Sequence, residues 1–144
     1  MTTLASIRAA NLTAGAGLNY RPVAVFAGGT GGIGAGMAQA FARHRNGDAH
    51  IILIGRNRAA AEKVIASFPK PKTQDVQHEF VECDVTLMRN VRKTTAELVQ
   101  RLPKVNYLVL TQGKLTTKGR DETDEGIDSK LALHYYSRWR FTYE

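Results

Sequence analysis

Residues 22–36 read PVAVFAGGTGGIGAG, an apolar run that passes directly into a cluster of glycines. The run at 22–27 has the length and composition of a short strand buried on both faces, as found in parallel sheets. The glycine cluster at 28–36 follows at once, and residues 37–43 continue with a helical pattern. This stretch therefore predicts a strand, a glycine-rich turn and a helix in immediate succession.

The rest of the chain continues the alternation of strand and helix. Further strands are predicted at 50–54, 76–84 and 105–110, and helices at 2–14, 58–68, 86–102 and from 127 to the end. Gly15, Gly17 and Asn19 are expected to end the first helix. Strands that alternate with helices need crossovers and form a parallel sheet covered on both faces. We therefore expect an α/β fold, a Rossmann-type doubly wound parallel sheet over 20–144, preceded by a separate helix and linker over 1–19.

The glycine turn has the position of a dinucleotide-binding loop, because it leaves a strand and opens a helix. Glycine lacks a Cβ, so the backbone can adopt positive φ and approach a pyrophosphate closely. The helix N-terminus adds free N–H groups and the positive end of a dipole. No Gly-Lys-Ser/Thr ends the run, which disfavours the phosphate loop of nucleotide triphosphatases. The alternative, a plain connector, is disfavoured by the strand and helix on either side.

Four segments and the last helix then match one known family in order. The glycines at Gly28, Gly32 and Gly34 follow the spacing Gly-x-x-x-Gly-x-Gly. The further segments are Arg56-Asn57 after the second strand, Asp84-Val85 after the third, and Leu108-Val109-Leu110-Thr111-Gln112-Gly113 ending the fourth. Over about residues 20–140 the chain resembles the short-chain dehydrogenase/reductase family, specifically its N-terminal, cofactor-binding half. The helix after Gly126 resembles the fourth helix of that family.

The resemblance implies an oxidoreductase that acts on a carbonyl or alcohol substrate with NADP(H) as cofactor. In family members an Asp after the third strand faces the adenine amino group, which here would be Asp84. The resemblance and the glycine turn together predict a cofactor site made of Gly28, Thr30, Gly31, Gly32, Ile33, Gly34, Arg56, Asn57, Asp84, Val85, Gln112 and Gly113.

The residues after the second strand favour NADP(H) over NAD(H). An NAD-selective site uses a carboxylate there to hold the ribose hydroxyls. The residues at 55–58 are Gly, Arg, Asn and Arg, with no carboxylate to repel a 2′-phosphate. A guanidinium at Arg56 can make paired hydrogen bonds to that phosphate. The alternative is that Arg56 is only an exposed arginine at a helix start. Asn57 is also expected to cap that helix, a role that can coexist with cofactor binding.

Several family features are absent from these 144 residues. Short-chain reductases use a Tyr-x-x-x-Lys pair for proton transfer, and no tyrosine of this chain has a lysine four residues on. Tyr136 and Arg140 have the interval, but arginine does not lose its proton. The fourth-helix asparagine of the family falls at His134, and Gln112 replaces the alanine of the Asn-Ala-Gly motif. We therefore predict no catalytic residues and a fold truncated after about four strands and the fourth helix.

Truncation at this point has a structural consequence. The fourth strand would form an unpaired hydrophobic edge, a hazard for association, and Trp139 would lose the elements that cover it. Such an edge favours association into a homo-oligomer.

Composition excludes some other classes of protein. The net charge is +7, but no RNA-binding aromatic signature or helix-turn-helix pattern supports a nucleic-acid partner. The one cysteine, Cys83, indicates a reducing compartment and is expected to be a small core residue. No metal site and no membrane span are predicted. We expect a cytoplasmic protein; the acid-poor N-terminus, with Arg8 as its one arginine before Arg21, gives only weak support to a mitochondrial transit peptide.

Two main hypotheses of function follow. The first is an NADP-dependent short-chain reductase, shortened so that cofactor binding is retained and the catalytic pair is lost. The second is a non-catalytic nucleotide-binding or scaffold protein that uses the dinucleotide as a structural ligand.

Overall fold

The computed structural model of the protein describes residues 2–16, 20–71, 76–117 and 119–144. The strands are β1 (Val23–Ala27), β2 (His50–Gly55), β3 (Glu79–Glu82) and β4 (Tyr107–Leu110). The helices are α1 (Leu4–Ala16), α2 (Gly32–His44), α3 (Arg58–Ala66) and α4 (Met88–Arg101). The last helix consists of α5 (Ser129–Leu131), a π-helical segment (Ala132–Tyr136) and α6 (Ser137–Tyr143).

The four strands form one parallel sheet in the order β3-β2-β1-β4. β1 lies in the middle, with Val25 opposite Ile52 of β2 on one side and Leu108 of β4 on the other. All five residues of β1 are buried, which explains why its sequence is apolar throughout rather than alternating. The predicted parallel α/β sheet is confirmed.

Helices cover both faces of the sheet because successive strand residues point to opposite sides. Val25 and Ile52 belong to a core cluster shared with residues of α4 and α6. Phe26 and Leu53, each one residue further along, belong to a second cluster shared with α2 and α3. Because all four strands are parallel, the loops that follow them meet at the carboxyl edge of the sheet. The functional site is expected at this edge.

Several predicted boundaries are wrong. α2 begins at Gly32, inside the glycine cluster, rather than at residue 37. β3 covers only Glu79–Glu82, because its pairing with β2 begins at Ile52, while His78 packs edge-on against Phe68 with ring centroids 5.0 Å apart. α1 continues through Gly15 to Ala16, and the predicted linker residues Gly17 and Asn19 lie outside the described residues. β4 begins at Tyr107 rather than at 105.

The edge position of β4 agrees with the expectation from the sequence. Only β1 pairs with it among the described strands, and Tyr107 and Leu108 are partly exposed. Trp139 of α6 is 52% exposed and stacks on Tyr143 with ring centroids 4.8 Å apart. Within the parts of the chain described above, no helix combines the length and apolar character needed to cross a membrane.

A charged cluster lies at the opposite, amino edge of the sheet. The Glu79 carboxylate accepts a hydrogen bond from Arg101 Nη1 at 2.7 Å, and its Oε1 lies 2.7 Å from His50 Nε2. Burial of Glu79 opposes ionisation, but the hydrogen bonds and charges of Arg101 and His50 outweigh it and lower the pKa of the carboxyl below 4.5. The cluster ties β2, β3 and α4 together.

For the variant Glu79→Gln we expect the free energy of unfolding to change less with pH in the acid range. A carboxyl whose pKa is lowered by folding stabilises the native state above its unfolded pKa, and this stabilisation is lost as the pH falls through the lower folded value. Urea denaturation should show the variant about 1 kcal/mol less stable at pH 7, the scale of a partly exposed ion pair. Below pH 4.5 the difference should shrink. If the difference in stability between the variant and the unaltered protein stayed constant from pH 7 to below pH 4.5, the assigned role of Glu79 would be contradicted.

Candidate functional site

The glycine loop connects β1 to α2 at the carboxyl edge of the sheet. Gly28 and Gly32 have φ values of +83° and +51°, which L side chains rarely adopt. The Gly28 N–H donates to Ile54 O at 2.9 Å, which ties the start of the loop to β2. Gly31 precedes α2 and supplies no side-chain cap. The loop therefore leaves the first N–H groups of α2 available to a ligand.

Two of these glycines are required by close packing as well. A Cβ on Gly28 would lie 2.7 Å from Gln112 N. A Cβ on Gly34 would collide with Thr111 Oγ1 and with the carbonyl oxygen of Gly28. Thr111 itself is fixed, since its N–H and its hydroxyl donate to Ala27 O at 2.9 and 3.1 Å. The end of β4 thus lies directly against the glycine loop, and together they form one surface.

A cavity of about 420 Å³ opens beside this surface. Its lining residues are Gly28, Thr30, Gly31, Gly32, Ile33, Gly34, Gly55, Arg56, Cys83, Asp84, Val85, Thr111, Gln112, Gly113, Lys114 and Leu133. They come from Gly55 at the end of β2, from the segments that follow all four strands, from the start of α2 and from the last helix. The structure therefore brings eleven of the twelve predicted site residues to one cavity.

The twelfth, Asn57, has a different position. Its side-chain Oδ1 accepts a hydrogen bond from Ala60 N at 2.9 Å and caps α3. In the described part of the chain, Asn57 is not one of the residues that line the cavity. Asn57 therefore has the capping role that the sequence suggested, and its position outside the lining is the one difference from the predicted set.

Arg56 and Asp84 face each other across one end of the cavity. Arg56 Nη1 lies 3.9 Å from Asp84 Oδ2, and the Arg56 side chain is 70% exposed. The other carboxylate oxygen of Asp84 accepts hydrogen bonds from Thr86 N at 3.0 Å and Thr86 Oγ1 at 2.7 Å. Asp84 is thus oriented by its own loop. The long contact and high exposure leave the Arg56 guanidinium able to reach an anion at this end.

Arg58 points elsewhere, although it lies only two residues away. Its guanidinium packs over the Phe80 ring, 5.0 Å from the centroid, and its Nη2 lies 3.8 Å from Glu82 Oε2. Of the two arginines after β2, only Arg56 lines the cavity in the described structure.

The floor of the cavity contains residues that the sequence did not single out for the site. Cys83 is 3% exposed; burial raises the pKa of its thiol, a hydrogen bond from Thr94 opposes this rise, and the charges of Asp84 and Glu97 add to it. This agrees with the predicted core role of Cys83. Gly55 is needed there because a Cβ at this position would lie 2.9 Å from Thr30 Cγ2.

The loop after β4 borders the other end of the cavity. Lys114 donates to Asp121 Oδ2 at 2.6 Å, and Ser129 Oγ donates to the same oxygen at 2.9 Å. Further on, the Glu125 carboxylate accepts from Met88 N at 2.6 Å and Arg89 N at 3.0 Å, the first N–H groups of α4. The loop is therefore held to both α4 and α5.

The cavity as a whole suits an elongated anionic ligand. An uncapped helix N-terminus and bare glycine amides lie at its centre, and a guanidinium lies at one end. No cluster of three or more histidines, cysteines or carboxylates placed to hold a metal ion occurs in the described residues. The groups present can bind and orient phosphates.

A comparison with known proteins finds a family and relatives that match most of the chain. The KR domain family matches residues 23–131. The oxidoreductase AN1596 of Emericella nidulans is 38% identical over 143 residues, which is 98% of this chain and 41% of that relative.

Two solved structures share the fold. A short-chain dehydrogenase from Sphingobium yanoikuyae in complex with NADPH superposes with a TM-score of 0.66 at 22% identity, covering 84% of this chain and 45% of that one. An alcohol dehydrogenase from Thermococcus sibiricus complexed with 5-hydroxy-NADP superposes with a TM-score of 0.65 at 23% identity, covering 85% and 50%. The chain thus spans about half or less of the length of these proteins.

Proposed function

Because the chain belongs to the short-chain dehydrogenase/reductase family, within its KR domain group, we propose that it binds NADP(H) as the cofactor-binding part of an oxidoreductase acting on carbonyl or alcohol substrates. The observation that carries the proposal is the position of Arg56. Its guanidinium lines the same cavity as the glycine loop, at the end of β2, where an NAD-selective protein would place a carboxylate.

Each part of the cavity has a role in this proposal. The amides of the glycine loop and the start of α2 hold the diphosphate. Arg56 holds the 2′-phosphate, and Asp84 accepts from the adenine amino group through Oδ2, the oxygen that Thr86 leaves free. Gln112 and Gly113 border the nicotinamide half. The bound cofactor supplies the hydride, and these residues position it.

We further propose that these 144 residues bind the cofactor without turning it over. Proton transfer to a substrate oxygen needs an acid whose pKa is suitably lowered, and no tyrosine here has a lysine four residues on. Arg140, which has that spacing from Tyr136, is not a lysine, and its guanidinium forms an ion pair with Glu144 at 2.7 Å. The same observation favours the second candidate, a nucleotide-binding or scaffold protein in which the dinucleotide is a structural ligand.

The domain boundary and location are part of the same proposal. We place the cofactor-binding domain at residues 20–144 and the N-terminal helix and linker at 1–19. In support, Leu4 and Ile7 of α1 are 63% and 45% exposed and so contribute little to the core. A single buried cysteine suits a reducing compartment such as the cytoplasm.

Fluorescence titration of the purified chain tests the cofactor assignment. We expect NADPH to bind at least about tenfold more tightly than NADH, because a charge-assisted contact to the 2′-phosphate contributes about 1.5–3 kcal/mol. Competition by 2′,5′-ADP, the adenosine half of the cofactor, should displace NADPH. Folded protein that binds NADH more tightly than NADPH, or binds neither, would refute the proposal.

A further inference from the structure

The first turn of α4 is capped by a residue from outside its own segment. Leu87 precedes the helix without making a side-chain capping hydrogen bond, and the first turn contains no acidic residue. The Glu125 carboxylate takes this place, because its Oε2 accepts from Met88 N at 2.6 Å and its Oε1 accepts from Arg89 N at 3.0 Å. These bonds satisfy donors at the helix start and place a negative charge at the positive end of the helix dipole. The start of α4 is therefore stabilised by a residue 36 to 37 positions further along the chain.

Glu125 is itself held by a tight turn in the loop after β4. Thr123 N donates to Ile127 O at 2.9 Å, and Gly126 N donates to Thr123 O at 2.8 Å. The Glu125 N–H donates to Thr123 Oγ1 at 3.3 Å. The Glu125 side chain is only 18% exposed, and Arg89 Nη1 lies 3.5 Å from its Oε1. The turn and the ion pair together fix the carboxylate against the start of α4.

The start of α4 in turn supports Asp84, the residue that faces Arg56 across the cavity. The backbone carbonyl of Asp84 accepts from Leu87 N at 3.2 Å and from Asn90 Nδ2 at 3.4 Å. Its side-chain Oδ1 accepts from Thr86 N and Thr86 Oγ1, while Oδ2 lies 3.9 Å from Arg56 Nη1. The backbone of Asp84 is thus bonded to residues at the very beginning of the helix. The orientation of its carboxylate therefore depends on the first turn of α4.

We propose that Glu125 is a positioning residue for recognition of the adenine base. By capping α4 it fixes the turn that orients Asp84 towards the adenine amino group. In the described part of the chain Glu125 does not line the cavity, so it acts through α4 and not by contact with the ligand. The inference rests on the proposed binding of NADP(H). It gives the loop after β4 a role at both ends of the cavity, since Lys114 lines the β4 end and Glu125 supports the adenine end.

The test compares NADPH with its hypoxanthine analogue, in which a carbonyl oxygen replaces the adenine amino group. That oxygen cannot donate to the Asp84 carboxylate, so we expect the unaltered chain to bind NADPH about tenfold more tightly than the analogue. In Glu125→Ala this ratio of the two Kd values should fall to about threefold or less, because Asp84 is no longer held in one orientation. A general loss of structure would weaken both ligands equally and leave the ratio unchanged. The fluorescence of the reduced nicotinamide reports the binding of both ligands.

Two further variants make the test specific to the cap. Asp124→Ala removes the neighbouring carboxylate, which is 83% exposed and only pairs with Arg89 at 3.7 Å, and we expect it to leave the ratio unchanged. Glu125→Gln keeps an acceptor oxygen but loses the charge, so its ratio should lie between those of the unaltered chain and Glu125→Ala, at about fivefold. If the alanine variant does not fold, the glutamine variant provides the test, and an unchanged ratio in it would contradict the inference.

The outcomes separate this inference from the function on which it rests. If Glu125→Ala lost affinity for both ligands equally, Glu125 would only support the fold, and if neither affinity changed, it would position nothing. Either result overturns the inference and leaves the cofactor assignment intact. If the unaltered chain bound NADPH and the analogue equally well, the contact proposed for Asp84 would be wrong, and the inference with it. If the unaltered chain bound neither ligand, the proposed function as a whole would be overturned.

Discussion

Replacing Gly34 by alanine is expected to raise the Kd for NADPH by about 100-fold or more, the effect of a steric conflict of about 3 kcal/mol. The new Cβ would collide with Thr111 Oγ1 and with Gly28 O. Both groups are held in place, because Thr111 donates twice to Ala27 O and Gly28 N–H donates to Ile54 O. The glycine loop and the end of β4 would have to separate, which removes the surface that binds the diphosphate. Isothermal titration with NADPH measures the loss.

Gly36→Ala provides the control for this prediction within the same helix. A Cβ on Gly36 would meet nothing within 4 Å, and the residue is exposed. We expect unchanged NADPH affinity and a gain of about 0.5–1 kcal/mol in stability, as for glycine to alanine in a helix interior. If Gly34→Ala bound NADPH as well as Gly36→Ala does, the close approach of the loop to β4 would have no importance for binding.

Removing the Arg56 guanidinium should change cofactor preference rather than binding in general. For Arg56→Ala we expect a Kd for NADPH about 10- to 100-fold higher, because hydrogen bonds to a charged partner contribute about 1.5–3 kcal/mol. NADH has no 2′-phosphate, so its affinity should change by less than about threefold. The present partner of the guanidinium, Asp84, is 3.9 Å away and offers little competition. Parallel fluorescence titrations with the two cofactors measure the ratio.

Arg58→Ala is the matched control for charge. It removes the same positive charge two residues away, from a side chain that packs on Phe80 and pairs with Glu82 instead of lining the cavity. We expect it to leave the preference for NADPH nearly unchanged. Equal effects of the two substitutions would indicate a general influence of net charge, and the specific role of Arg56 would then be wrong.

The sheet could be predicted because its central strands are buried on both faces. β1 and β2 read VAVFA and HIILIG, and such short apolar runs between glycine and turn residues are typical of parallel strands. β3 reads EFVE and is only partly buried, so its start could not be located from the pattern. The π-helical turn was not predicted either, because no pattern of apolar residues marks it, and the last helix contacts the end of β4 through Ser137 and His134, which are distant from β4 in sequence.

In the candidate site, too, some residues could be predicted from the sequence and others could not. The glycine loop, Arg56 and Asp84 could be recognised since each lies at or just after the end of a predicted strand, and parallel strands bring such residues to one edge. Lys114 and Leu133 line the cavity because the loop after β4 and the last helix fold back onto it, which no local pattern indicates. That Asn57 caps α3 without lining the cavity is visible only in the structure, from its hydrogen bond to Ala60 N and the residues that line the cavity.

The Glu125 carboxylate at the start of α4 affects where an external anion can bind. Like Asp128 at α5, it places a negative charge of the protein itself at a helix N-terminus and so offsets the attraction of that terminus for anions. Asn57 satisfies an N–H group of α3 without charge. The start of α2 has no such side chain. Of these four helix termini, the start of α2 is thus the one whose first N–H groups no side chain of the described residues caps, so they stay available to an external anion.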